Sequence, residues 1–289
     1  MSRLSKLLRN FGLLSDPRPP WSTAGRHIFA PPLSVDVDVD EAVMSALFDR
    51  VASVWSELGA SEPYWSVLTN SIYRREKIDQ TKDSFFKTAH WDVDLIEACL
   101  ARAGLAEAAG DSCLELGCGV GRVTSQLANM FDRVVAVDVS APHLRLAAKR
   151  IAMLGQSNVE FVHLKKVEDI QGLSVHDFFY SRLTLQHNPP PVMAHVLNVS
   201  LSRLSPGGLC LFQLPTYNES YQFDVHAYLA SPQTGMEMHV LPQPNVHAIL
   251  RRNAIELIEM MEGPTRTSIR NYMTFFGRKS PNSGSDQNP

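Results

Sequence analysis

The chain has few of the residues that would mark a metal protein. Its 289 residues include four cysteines, Cys99, Cys113, Cys118 and Cys210, with no Cys-x-x-Cys pair and no Cys/His cluster at zinc spacing. No structural metal is expected, and the thiols read as reduced core residues. No apolar run reaches the roughly 18 residues that a membrane helix needs, so no membrane span is expected. A formal charge of -3 supplies no global basic field, which removes the usual footprint of a nucleic-acid binder. The N-terminus lacks the uninterrupted apolar stretch of a secretory signal. A cytoplasmic protein is therefore expected, with Asn198-Val199-Ser200 and Asn218-Glu219-Ser220 as chance glycosylation patterns. Asp36, Asp38 and Asp40 alternate like the start of a calcium loop but lack its glycine and terminal glutamate, so they read as the start of a helix. There is no internal repeat.

What is present suffices for a full core: 44% of the residues are hydrophobic and 20% charged, the balance of an ordered globular chain. Met1 to Leu14 is basic and amphipathic, with Arg3, Lys6 and Arg9 among leucines; it reads as a short helix docked on the body, or alternatively as a targeting or membrane-surface helix. Five prolines between residues 15 and 34 make that stretch an extended linker, so residues 1–34 form a basic segment and Pro-rich linker. Residues 35–91 read as a helical, aromatic-rich cap. It opens with an amphipathic helix from Glu41 to Leu58 that Gly59 should stop. The main domain covers 92–279 and starts with a helix from Asp92 to Ala103. The polar tail, 280–289, has too little apolar surface to order itself.

From Ser112 onward short apolar strands alternate with helical patterns, the signature of an α/β fold with a parallel sheet covered on both faces. The expected strands are Ser112 to Leu116, Arg133 to Asp138, Val159 to His163, Asp177 to Ser181, Leu209 to Leu214, Ile255 to Met261 and Tyr272 to Arg278. The first runs into Gly117-Cys118-Gly119-Val120-Gly121, and a helical pattern begins at Arg122. Glycines at a strand-to-helix turn let a ligand approach the backbone, and the amides there favour an anionic group. A dinucleotide fingerprint starting at Gly117 would need glycine or alanine where Arg122 stands, which argues against NAD. The second strand ends in Asp138, where a carboxylate can accept both hydroxyls of a ribose.

With these elements the chain resembles the class I S-adenosylmethionine-dependent methyltransferase family. Glu115 to Gly121 is similar to the family's first motif, and Val137-Asp138-Val139-Ser140 to its second. Asp177 to Ser181 followed by Leu185-Gln186-His187 is similar to the fourth-strand motif, and Leu204-Ser205-Pro206-Gly207-Gly208 to the turn into strand five. The resemblance spans about residues 90 to 278. It implies a Rossmann-like seven-stranded sheet in the order 3-2-1-4-5-7-6 with the last strand antiparallel, and S-adenosylmethionine as cofactor. It further implies that Gly117 and Gly119 meet the methionine part, that Asp138 binds the ribose and that Val139 packs on the adenine. Glu115, Cys118, Gly121, Arg122 and Ser181 complete the expected cofactor site. The family's acidic residue after strand three is replaced here by lysines, which leaves Val167 and Glu168 as the substitutes near the adenine.

Methyl transfer from a sulfonium is a direct displacement, so the acceptor must be held in line about 3 to 3.5 Å from the methyl carbon. A hydroxyl acceptor also needs a base. His187, just after strand four, is the catalytic candidate; its alternative role is to pack under the cofactor or cap the next helix. His90, His226 and His239 are further histidine candidates. Asn188-Pro189-Pro190-Pro191 is similar to the Asn-Pro-Pro-aromatic motif of enzymes that methylate bases or glutamine, but it lacks the aromatic and does not follow strand four directly, so no nucleic-acid partner is expected. The aromatic and polar stretch from Pro215 to Phe223 forms either an acceptor pocket, with Tyr217 joined by Tyr64, Trp65, His90 and His239 as substrate residues, or an ordinary packed lid. The expected function is O-methylation of a small molecule or glycan intermediate; N- or C-methylation and a non-catalytic cofactor-binding protein are the alternatives. No feature of the sequence sets the oligomeric state.

Overall fold

The computed structural model describes residues 32–262 and 272–281. The basic N-terminal segment, nearly all of the Pro-rich linker and the end of the tail lie outside the described residues. The described residues from Ser34 onward form one compact unit, cap and sheet together. No helix among them is long and apolar enough to cross a membrane.

Seven strands form a single sheet: β1 (Ser112–Leu116), β2 (Arg133–Asp138), β3 (Val159–His163), β4 (His176–Ser181), β5 (Leu204–Pro215), β6 (Ile255–Glu262) and β7 (Tyr272–Lys279). Their order is β3-β2-β1-β4-β5-β7-β6. Strands β1 to β5 pair in parallel, whereas β7 runs antiparallel to both β5 and β6. The central strands are nearly unbroken apolar runs because both of their faces are covered. Successive residues alternate between two cores. Leu114, Val135, Phe179 and Phe212 pack on one side with Leu47 and Phe48. Cys113, Val134, Phe178 and Leu211 pack on the other with Ile96 and Leu127. All four cysteines are buried and unpaired.

The helices before the sheet are α1 (Glu41–Ser61), α2 (Pro63–Val67), α3 (Ile78–Lys87) and α4 (His90–Ala103). Those between and after the strands are α5 (Thr124–Met130), α6 (Ala141–Met153), α7 (Pro190–Ser202), α8 (Val225–Ala230) and α9 (Gln243–Arg252). Asp40 starts α1 as expected, its carboxylate accepting from the Val43 amide at 2.8 Å. Asp36 bonds elsewhere, taking the Val225 amide at 2.9 Å.

Gly59 does not stop α1, which continues to Ser61. The glycine is there for contact: a Cβ on it would fall 2.4 Å from Ser140 Oγ and 2.7 Å from His143 Nδ1. Its missing side chain lets α1 lie close against the start of α6. Strand β5 also begins earlier than expected, at Leu204, and absorbs the Ser-Pro-Gly-Gly stretch through a register shift against β4 between His176 and Phe178.

Candidate active site

The carboxyl ends of β1, β2 and β4 open onto one cleft of about 970 Å³, counting its solvent-open mouth. Where β1 ends, the Gly117 and Cys118 amides both donate to Val137 O, at 2.8 and 3.0 Å, which fixes the bend against β2. Gly117 has φ +81° and Gly119 φ +54°, both in the left-handed region. Neighbours crowd the bend as well: a Cβ on Gly117 would lie 2.1 Å from Thr184 Cγ2, and one on Gly119 would lie 2.8 Å from Val67 Cγ2. Asp138 turns toward the same bend. Its Oδ2 accepts from the Gly119 amide at 2.8 Å and its Oδ1 from the Ser140 amide at 2.8 Å. Each oxygen keeps a second lone pair, so a vicinal diol can still donate to both.

Glu115, Gly117, Cys118, Gly119, Arg122, Asp138 and Val139 line the cleft. Four other expected cofactor residues do not. Gly121 turns the chain against Ala147, where a Cβ would come within 3.1 Å. Ser181 ties β4 to β1, its hydroxyl donating to Leu116 O at 3.1 Å. Val167 is buried in the core and Glu168 is exposed to solvent. Leu164 lines the wall beyond β3 instead; it is the first apolar residue after that strand, which was the signal for it.

One buried cluster of the site had no signal in the sequence. Asp92, in the first turn of α4, is fully buried. Its Oδ2 takes Arg122 Nη1 at 2.6 Å, while Oδ1 takes the Tyr180 hydroxyl at 2.6 Å and Arg182 Nη1 at 2.7 Å. These partners lie 30, 88 and 90 residues away along the chain. Burial by itself would raise the Asp92 pKa, but the Arg122 and Arg182 guanidiniums more than offset it and hold the carboxyl below its ordinary range. Burial pushes Glu115 up to about 7 despite the hydrogen bond from Thr124 and the charge of Arg122. Arg122, Tyr180 and Arg182 all face the cleft.

The expected catalytic and substrate residues do not face it. His187 Nδ1 lies 2.8 Å from Glu237 O, and because a carbonyl can only accept, Nδ1 carries the proton. Its Nε2 takes Gln186 Nε2 at 3.0 Å, so both ring nitrogens are engaged. Burial lowers its pKa to about 4. Trp55, with its ring 5.0 Å from His187, is the residue that lines the cleft.

Tyr64 sits in an aromatic cluster with Phe85 and Phe86, at ring distances of 5.3 and 6.2 Å. Arg74 covers Trp65 at 4.1 Å. His90 is exposed and bonds Lys87 O at 2.6 Å, and His226 is exposed too. Tyr217 lies away from the cleft wall with its hydroxyl buried and unbonded, and His239 is bonded to the Tyr221 hydroxyl at 2.9 Å.

The roof comes from the cap instead. Phe48, Val51 and Trp55 project from α1, and Ser66 and Val67 from α2. His143, at the start of α6, latches α2 to α6, since its Nε2 lies 3.1 Å from Pro63 O and 3.0 Å from Ser66 Oγ.

These groups fit the nucleoside-bearing amino acid that the sequence resemblance implies. An acid with two spare lone pairs suits a ribose, Val139 and Leu164 give an adenine apolar surface, and the bare bend admits the amino-acid end.

Comparison with known proteins agrees. A family model described as "Methyltransferase domain" matches residues 113–208. A curated tRNA/tmRNA (uracil-C(5))-methyltransferase from a Nitratiruptor species is 41% identical over 66 residues, which is 22% of this chain and 18% of that protein. The chain thus matches under a fifth of that relative's length.

Among solved structures, a magnesium protoporphyrin IX methyltransferase from Synechocystis PCC 6803 with bound S-adenosylhomocysteine superposes with a TM-score of 0.56 at 15% identity, covering 80% of this chain and 100% of that one. The N-methyltransferase NodS from Bradyrhizobium japonicum WM9, in complex with S-adenosylhomocysteine, gives 0.53 at 18%, covering 80% and 99%. At such identities these two show a shared fold. Residues 113–208 thus match a methyltransferase domain, and the strand order, with the glycine bend facing Asp138, is that of the Rossmann-like fold shared with these S-adenosylhomocysteine-bound methyltransferases.

Proposed function

We propose that the chain transfers the methyl group of S-adenosylmethionine to an oxygen of a small molecule or glycan intermediate. The observation that carries this reading is the 2.8 Å bond between Asp138 and the Gly119 amide, which brings the ribose acid and the bare backbone bend to one cleft. When bound, the cofactor supplies a sulfonium methyl open to direct displacement. The chain's own work is then to orient: Asp138 receives the ribose hydroxyls, Val139 and Leu164 sandwich the base, and the Gly117–Gly119 bend meets the amino-acid end. Phe48, Val51 and Trp55 roof the cleft and keep water from the transfer line.

A small acceptor suits this roof better than RNA, because α1 and α2 close over the cleft and the net charge of -3 offers no basic track. The base role expected for His187 has no support in its position behind Trp55, with both ring nitrogens bonded. The reading therefore favours an acceptor that needs no proton removed. Incubation with methyl-tritiated S-adenosylmethionine and a metabolite extract should label a small product. If no acceptor pool takes label while S-adenosylhomocysteine still binds, the chain is a non-catalytic cofactor-binding protein.

A further inference from the structure

The wall of the cleft beside β4 carries more positive charge than its own acids neutralise. Asp92 is a single carboxylate shared by the guanidiniums of Arg122 and Arg182. That cluster has a surplus of one positive charge, and the Nε of each arginine is buried without a hydrogen-bond partner. Glu115 cannot supply the missing counter-charge in full, since burial favours its protonated form up to about pH 7 despite the hydrogen bond that Thr124 donates to it. Asp138 is committed to the two amides on the ribose side. A cation in a poorly solvated wall with an unused donor is costly unless an anion joins it.

Arg182 is the member of the pair that a ligand can reach. Its side chain is 24% exposed, against 6% for Arg122. It directly follows the last residue of β4, at the carboxyl edge where ligands bind in open α/β sheets. The next residue, Leu183, has φ +60°, a conformation that a bulky residue adopts only where its surroundings impose it. That reversal leaves both Arg182 and Leu183 facing the cleft. Asp92 holds Arg182 through Nη1, which fixes the plane of the guanidinium, and the exposed quarter of the side chain leaves part of it open to a ligand, although its Nε is buried without a partner. A planar fork held this way matches a planar carboxylate.

We propose that the acceptor is a carboxylate-bearing small molecule, that Arg182 holds the carboxylate in the cleft, and that this carboxylate is itself methylated; the inference rests on the methyltransferase reading above. A carboxylate oxygen lone pair forms the new O–C bond as the C–S electron pair returns to sulfur. A neutral ester and a neutral thioether result, and no proton moves. The step therefore needs no base, which agrees with a cleft whose histidine, His143, is tied to Pro63 and Ser66. Two opposite charges vanish together, so a roofed, water-poor cleft favours the step. Asp92 is the positioning residue for Arg182.

The test uses the full chain, methyl-tritiated S-adenosylmethionine, and a metabolite extract split on an anion-exchange resin into retained and unretained fractions. Methyl esters release volatile labelled methanol in alkali, whereas ethers, amines and C-methyl products keep their label. The expected result is alkali-labile label from the retained fraction. Arg182→Gln should lower it at least tenfold and Arg182→Lys should restore part of it. Calorimetric affinity for S-adenosylhomocysteine should stay within about twofold in both variants, which also shows that they fold.

Alkali-stable label, or label confined to the unretained fraction, overturns the carboxylate proposal and leaves the methyltransferase reading standing. An equal fall in S-adenosylhomocysteine affinity for Arg182→Gln also overturns it, because the anion would then be the cofactor's own carboxylate. No label from either fraction, with S-adenosylhomocysteine still bound, defeats both readings.

Discussion

Two acidic side chains gather partners from distant segments around this cleft, with opposite charge balance. Asp92 takes two arginines and the Tyr180 hydroxyl, and its side chain is 1% exposed. Glu237 takes one arginine, Arg50, at 3.4 Å, together with the hydroxyls of Tyr228 and Thr234, and it is 21% exposed. His239, 3.7 Å away, adds no charge near neutral pH, because burial lowers its pKa to about 4 against the pull of Glu237. Arg50 also places Nη1 and Nη2 on the carbonyls of Tyr228, Ser231 and Pro232, while its Nε, like those of Arg122 and Arg182, is buried without a partner. The Glu237 cluster is thus neutral in charge, and it fastens the segment between α8 and α9 to helix α1. The Asp92 cluster keeps a spare cation and faces the cleft. A balanced polar cluster serves the fold; an unbalanced one at an opening is prepared for a ligand.

The sharpest way to break this contrast is Asp92→Asn. It leaves Arg122 and Arg182 as neighbouring buried cations without a counter-charge. Removing one partner from a buried ion pair typically costs about 3 to 5 kcal/mol. Urea denaturation should show a loss in that range, and a loss under about 1 kcal/mol would mean that the cluster is not an electrostatic unit.

Glu115 sharpens the picture of the same wall through pH. Between its ordinary value of 4.5 and about 7, the folded chain holds a proton that the unfolded chain has already released. Stability should therefore fall as pH rises through that window and level off above it. The loss is at most about 3 kcal/mol. Glu115→Gln, whose amide oxygen can still accept from Thr124, should flatten the slope. Denaturant midpoints compared at about pH 5 and about pH 8 measure it, and an unchanged slope in the variant would assign the pH dependence to another group.

What the sequence made legible follows from how local each feature is. Strands β1, β2 and β3 occupy the expected residues, β1 and β2 as apolar runs covered on both faces and β3 as a partly buried edge strand. The bend and Asp138 were readable for a related reason, since they sit at the ends of adjacent parallel strands and the sheet brings them together. The Asp92 cluster was not readable, because three segments far apart along the chain supply it and none carries a spacing signal. Tyr64 and Trp65 lie off the cleft wall for a physical reason. A polar tip on an aromatic ring is equally at home in a small core, and the cap uses Tyr64 against Phe85 and Phe86. Trp55, which belonged to the apolar stripe of α1, faces the cleft instead. Gly59 looked like punctuation and is a contact.

Asp138→Ala tests the legible half of the site. It removes charge-assisted hydrogen bonds to the ribose, so S-adenosylhomocysteine affinity should fall by about 1 to 3 kcal/mol. Calorimetry that finds the same affinity in the variant would refute the ribose role and weaken the claim that the cleft takes this cofactor.

The smallest effect should come from Glu237→Gln, and its smallness is what the contrast requires. The glutamine keeps an acceptor for the Tyr228 hydroxyl at the position that the carboxylate oxygen holds now. Arg50 loses an ion pair of 3.4 Å but retains three backbone carbonyls within 3.1 Å. A partly exposed pair with such substitutes contributes about 1 kcal/mol or less. The urea midpoint should therefore move only slightly. S-adenosylhomocysteine affinity should not move, because neither Glu237 nor Arg50 lines the cleft. If Glu237→Gln instead destabilised the chain as much as Asp92→Asn, charge balance would not be what separates the two clusters. The surplus charge beside Arg182 would then lose its meaning as a mark of a ligand.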